Sequence, residues 1–198
     1  MSKVSILGLK LPSDPRWVNL ASISLSEVLT DHAFCEQKAA TSCISLIQRY
    51  PEKERLVQEL SPIVTEEWGH FRQVYAEMQK RGFMLGRQRK DMYVNALQEH
   101  QVKGGHPDDV LLDRLLIFAL IEARSCERFR LLSEGLDDAY LREFYRKFMI
   151  SEAGHYRLFI DLAHAYLPEE KVRTRWQEWL KMEAAIMDNL EVRGDRMH

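Results

Sequence analysis

Apolar residues recur along this chain at intervals of three and four almost from end to end, and the alternation of a half-buried strand is scarce. That pattern predicts an all-α fold. A first long helix starts behind Ser24 or Ser26, either of which can cap it, and runs to about Tyr50. Pro51 stops it and opens a second helix that reaches about Arg81, with Pro62 marking a kink or restart. Gly82 and Gly86 begin a loop, and DMYVNALQEH predicts a shorter helix from Asp91 to His100. QVKGGHP is the clearest break. Beyond it a third long helix starts at Asp108 or Asp109 and runs to Ser133 or Glu134, where Gly135 ends it. Asp137 or Asp138 caps a fourth helix that lasts until Pro168, and a fifth runs from Glu169 to about Leu190. The GGHP loop separates two helix pairs rather than two domains, so residues 1–198 are expected to form a single domain.

The two pairs repeat one arrangement. In a tight antiparallel hairpin, residues equidistant from the turn lie side by side. Glu36 and Glu67 stand 31 residues apart about a midpoint at Pro51; Glu122 and Glu152 stand 30 apart about residue 137. Each glutamate interrupts an apolar stripe on its own helix. Leu29, Ala33, Ala40, Cys43 and Ile47 share the stripe of Glu36, and Leu60, Ile63, Val64, Phe71 and Val74 that of Glu67. Leu115, Phe118, Ala119, Cys126 and Phe129 flank Glu122, as Tyr145, Phe148, Met149, Tyr156 and Phe159 flank Glu152. Four carboxylates are therefore expected inside one core, where like charges repel or take up protons unless cations balance them. Two divalent cations carry the matching charge.

Histidines complete the set. His70 follows Glu67 by three residues in EEWGH, and His155 follows Glu152 by three in SEAGH, so each pair projects from one helix face. A glutamate from each of two helices plus Glu-x-x-His from each of the other two is the ligand set of ferritin-like dinuclear iron or manganese bundles. CERF at 126–129 also aligns with CEQK at 35–38, which would substitute Glu127; the apolar stripe and the turn midpoint favour Glu122. Gly69 and Gly154, each just before a histidine, are expected to admit a close helix or side chain. His32, one turn before Glu36, suits either a supporting or a plain polar role.

Composition narrows the setting. With 45% hydrophobic residues in 198, the chain suits a sizeable core, and charge interrupts every apolar run well short of the roughly 20 residues a membrane span needs. MSKVSILGLKLPSDPRW is broken by Lys10 and Pro12 and lacks a small-residue cleavage site, so no signal peptide is expected. Cys35, Cys43 and Cys126 are odd in number and without Cys-x-x-Cys spacing, which excludes a disulfide framework and a thiolate zinc site and points to the reducing cytoplasm. A net charge of −2 excludes a chain basic throughout while allowing a local basic patch.

The spaced Glu36, EEWGH, IEARSCERF and SEAGH together resemble the ferritin-like di-iron carboxylate superfamily, and within it the MiaE-type tRNA hydroxylases, over most of the chain's length. That resemblance implies a ferritin-like four-helix bundle that performs oxygen-dependent hydroxylation of the isopentenyl group of 2-methylthio-isopentenyl-adenosine in tRNA. It implies two iron ions held by Glu36, Glu67, His70, Glu122, Glu152 and His155. Dioxygen is the co-substrate, and an external reductase supplies electrons, since the chain carries no flavin or iron–sulfur motif. KRGFMLGRQRK offers Lys80, Arg81, Phe83, Arg87, Arg89 and Lys90 as RNA contacts, cations for phosphate and a ring for an unpaired base; a solvated loop is the competing reading. Phe118, Phe129 and Phe159 read equally as pocket lining and as core. A quinone-precursor hydroxylase and an iron-handling ferroxidase are the alternatives the ligand pattern leaves open.

Overall fold

The structure, a computed structural model, describes residues 7–198. Residues 1–6, the start of the N-terminal apolar patch, lie outside the described residues. The described residues form helices and no strand: α1 (Trp17–Ile23), α2 (Leu25–Arg49), α3 (Glu54–Lys80), α4 (Met92–His100), α5 (Pro107–Gly135), α6 (Ala139–Tyr166) and α7 (Glu169–Asn189). None of these helices is long and apolar enough to cross a membrane.

The local chemistry of the helix ends explains most boundaries. The Asp138 carboxylate accepts from the N–H groups of Tyr140 (2.9 Å) and Leu141 (3.2 Å), and that of Asp91 from Val94 (3.1 Å), satisfying donors that the first turns of α6 and α4 leave open. At α5, Pro107 takes the first turn and His106 caps it, its Nδ1 accepting from the Asp108 N–H at 3.3 Å. The end of α3 closes through Gly82, whose φ of +73° lets Phe83 N–H reach back to Met78 O while Gly82 N–H reaches Gln79 O. Two expectations fail. Pro62 does not restart a separate element: α3 runs on through it, and its exposed position leaves the carbonyl it frees open to water. And the helix that starts, as expected, behind Ser24 is not the first: α1 precedes it, and Ser24, at φ −109° and ψ 36°, makes no side-chain cap.

The chain forms two compact units, each considered by itself. One comprises Asn19–Lys90 and Arg193–Met197: α2 lies along α3, and the C-terminal segment returns to them. Arg89 donates to the Asp195 carboxylate (2.9 Å) and carbonyl (2.8 Å) and to the Glu27 carbonyl, while Met197 N–H donates to Asp31 at 2.9 Å. The other unit holds the described residues up to Val18, Asp91–Val192 and His198, with α5 along α6 and α7 packed on both.

In that second unit α5 is buried on nearly every side, and its polar residues are paired accordingly. Asp113 accepts from Arg175 Nε (2.7 Å) and Nη2 (2.9 Å), Trp179 Nε1 (2.9 Å) and the Val102 N–H (2.8 Å). One turn apart, Arg124 and Glu127 meet in a salt bridge; Arg124 also binds Glu183 on α7, and Glu127 accepts from the Ser13 N–H at 3.1 Å and hydroxyl at 2.6 Å. This network clamps the N-terminal segment and α7 onto α5.

Candidate metal centre

In the unit of α2 and α3, the helix pair brings Glu36, Glu67 and His70 together, all buried, with a donor atom of each within 4.8 Å of the others. His70 Nδ1 stands 3.3 Å from a Glu36 oxygen and 3.5 Å from a Glu67 oxygen. The fully buried His32 lies behind Glu36, its Nε2 2.7 Å from the other carboxylate oxygen, and so fixes how that carboxylate is turned.

In the unit of α5 and α6, Glu122, Glu152 and His155 form the matching buried triad, again with donor atoms within 4.8 Å of one another, and His155 Nδ1 3.3 Å from Glu152. The position one turn before Glu122 is Phe118, so this triad has no counterpart of His32 at that position. Glu127 is elsewhere, committed to Arg124 and Ser13.

Donor chemistry and spacing both suit a hard or borderline cation. Ligand atoms around an octahedral ion with bonds of about 2.1 Å stand roughly 3 Å apart when adjacent and ~4.2 Å when opposite. The 3.3 and 3.5 Å separations fall within that range. Carboxylates mixed with imidazole favour iron or manganese over magnesium or calcium. Of the neighbouring thiols, burial beside Glu67 pushes Cys43 up to about 12, and burial beside Glu152 pushes Cys126 up to about 11.

Other expected contributors are placed differently. Gly69 and Gly154 do not admit a close neighbour, since a Cβ built on either would meet nothing within 4 Å. Phe129 and Phe159 are core, the first stacked on Tyr145 and close to Phe148, the second edge-on to Phe118. In the 80–90 loop, Arg89 anchors the C-terminal segment and Arg81 and Lys80 both pair with Glu77, at 2.7 and 3.7 Å, while Arg87 and Lys90 face solvent and Phe83 is half-buried after the α3 cap.

Sequence reading missed the Arg124–Glu127–Glu183 network and the row of stacked rings Trp68, Phe71 and Tyr75 on α3, of which the outer two are exposed. An arginine and a glutamate three apart on a helix with apolar residues on every side signalled the first. Three aromatics at positions i, i+3 and i+7 of a helix face signalled the second.

Paired helices that each enclose a Glu, Glu, His triad define a ferritin-like, all-α protein with buried groups able to hold a metal. The chain belongs to the family described as tRNA-(MS[2]IO[6]A)-hydroxylase (MiaE), whose family model matches residues 2–198. It is 36% identical to the tRNA 2-(methylsulfanyl)-N(6)-isopentenyladenosine(37) hydroxylase of Pseudomonas putida, over 81% of this chain and 77% of that one. It is 27% identical to the Salmonella typhimurium protein of the same name, over 90% and 83% of the two chains. A solved structure described as Protein 43 with aldehyde deformylating oxygenase activity from Synechococcus superposes with a TM-score of 0.91 at 36% identity, covering 98% of this chain and 96% of that one.

Proposed function

We propose that this protein is an oxygen-dependent hydroxylase of the isopentenyl group of 2-methylthio-isopentenyl-adenosine in tRNA, acting in the cytoplasm. Two iron ions are its cofactors, and Glu36, Glu67, His70, Glu122, Glu152 and His155 are their ligands. The observation that carries the reading is the same buried triad in each helix pair of a chain from this family. Iron in such a site supplies the activation of dioxygen. One oxygen atom enters a C–H bond of the prenyl group and the other leaves as water, with two electrons and two protons delivered from an external reductase.

The chain's own residues set the conditions for that chemistry. Four carboxylates balance two divalent cations, and their burial removes water that would compete for the open coordination positions. Hydrogen bonding from His32 holds Glu36 in one orientation whether or not the cation is present.

The test is mass spectrometry of nucleosides from tRNA carrying the prenylated, unhydroxylated adenosine, after incubation with iron-loaded, reduced protein and oxygen. One oxygen atom is gained with the wild type and none with Glu152→Ala. No gain from a protein shown to hold two irons overturns the substrate assignment. The Synechococcus relative supports one competing reading, an oxygenase acting on an aldehyde, because it matches this chain at 36% identity over nearly its whole length. Turnover of an aldehyde, with tRNA left unmodified, would establish that reading instead.

A further inference from the structure

Helix α3 carries the Glu67 and His70 donors on its buried side and, on an adjoining face, a row of rings. Trp68 and Phe71 are stacked with centroids 4.8 Å apart and planes 18° from parallel, and Phe71 and Tyr75 follow at 6.3 Å and 3°. Trp68 is 46% exposed and Tyr75 37%. Large apolar side chains in such a row are normally packed away from water, and single exposed ones need no explanation. Three in one parallel row, the outer two exposed and Phe71 between them half-buried, do.

The rest of that face narrows the ligand. On the helix surface, residues three, four and seven apart adjoin: Ser61, Val64, Thr65, Arg72 and Gln79 stand so to Trp68 or Tyr75 and none is a carboxylate, while Glu67, four before Phe71, is buried. The stripe is thus aromatic, neutral-polar and cationic. At the helix C-terminus it runs into Lys80, and the loop beyond presents Arg87 and Lys90 to solvent. Parallel rings, a cation and hydrogen-bonding side chains without acids match an unpaired, stacked run of nucleotides: every base offers a face to an aromatic ring and every phosphate a charge to a cation. A lipid surface would ask for aliphatic bulk, and duplex RNA buries its base faces.

We propose that Trp68, Phe71 and Tyr75 form a stacking platform for unpaired bases of the RNA loop that carries the substrate nucleoside, with Arg72 and the cations after α3 holding its phosphates. This rests on the tRNA reading above. One helix then bears both metal donors and the row on which the substrate's neighbours stack, so the ring row sets the register of the loop relative to Glu67 and His70. The rings are positioning residues; none takes part in bond making.

The experiment uses the full-length, iron-loaded protein and a stem-loop RNA with the anticodon-loop sequence, beside a blunt duplex of the same composition. Equilibrium binding is measured across a salt series for wild type, Trp68→Ala/Tyr75→Ala, Trp68→Phe and Arg72→Ala. KM and kcat on prenylated tRNA are measured for each, and iron content and circular dichroism check folding. The double variant is expected to bind the stem-loop at least about tenfold more weakly at every salt concentration, with the salt slope unchanged, KM raised and iron content retained. Trp68→Phe restores most of the affinity, and Arg72→Ala lowers the slope by about one ion. Wild-type stem-loop affinity in the double variant overturns the platform while leaving the hydroxylase reading intact. Equal wild-type affinity for duplex and stem-loop overturns it too. No RNA binding by the wild type sinks the tRNA reading itself, and the platform with it. Self-association that the double variant loses, with RNA binding unchanged, assigns the row to a second copy of the chain and overturns the proposal.

Discussion

Two arginines four residues apart on α5 show how burial makes the same side chain either necessary or dispensable. Arg124 is fully buried between Glu183 and Glu127, and its charge is what allows those carboxylates to be buried. Desolvation opposes its protonation, but Glu183 and the other partners outweigh that and its pKa is raised. Glu183, although paired, is pushed up by burial. Arg128 is also buried and lies over the Trp17 ring at 4.2 Å, yet its Nε and Nη1 have no hydrogen-bond partner, and burial together with Arg124 pushes it down to about 9. Removing Arg124 strands two acids, whereas Arg128 leaves none behind. Arg124→Ala is therefore expected to cost about 3–5 kcal/mol in urea unfolding, and Arg128→Met to stay within roughly 1 kcal/mol of wild type or to stabilise. Equal costs for the two would refute the distinction. These pairings join residues 59 and 114 positions apart, so nothing local in the sequence announces them. The buried Glu and His clusters were legible because the Glu-x-x-His spacing lies within a single helix turn and occurs twice.

At the scale of the helix, termini were readable wherever a side chain or a glycine performs the capping locally. Asp91 and Asp138 do so at α4 and α6, and Gly82 does so after α3. The start of α2 behind Ser24 was readable even though the Ser24 hydroxyl makes no cap, whereas the short α1 before it was not. The glycines of the two ligand-bearing turns were read from their positions beside the histidines, and that reading fails for lack of any neighbour. With helical backbone and open space at both sites, Gly69→Ala and Gly154→Ala should each raise stability by about 0.4–1 kcal/mol in chemical denaturation. A loss of stability would mean that these turns require the conformational freedom of glycine.

For the molecule as a whole, the all-α class and the pairing of helices followed from periodicity, whereas the return of the C-terminal segment to α2 and α3 did not. Asp195 takes part in that return: hydrogen bonding to Arg193 and the charges of Arg196 and Arg89 hold its carboxyl below the usual 3.8. A depressed carboxylate adds stability above its unfolded pKa and loses it as pH falls through the lower folded value. Asp195→Asn should thus lower the melting temperature at pH 5 to 7, and the gap to wild type should close as pH falls through the carboxyl's depressed folded pKa, below the usual 3.8. A gap that persists there would show that the carboxylate's charge is not what holds the segment. The same connection has a meaning for synthesis. The Arg89–Asp195 contact spans 106 residues and the Asp31–Met197 contact 166. At about 5–20 residues per second, a ribosome that has finished α3 needs some 5–20 seconds more before Asp195 exists. During that time the first helix pair is complete in sequence but lacks its closing segment, so its Arg89 and Asp31 stay hydrated until residues 193–197 leave the exit tunnel.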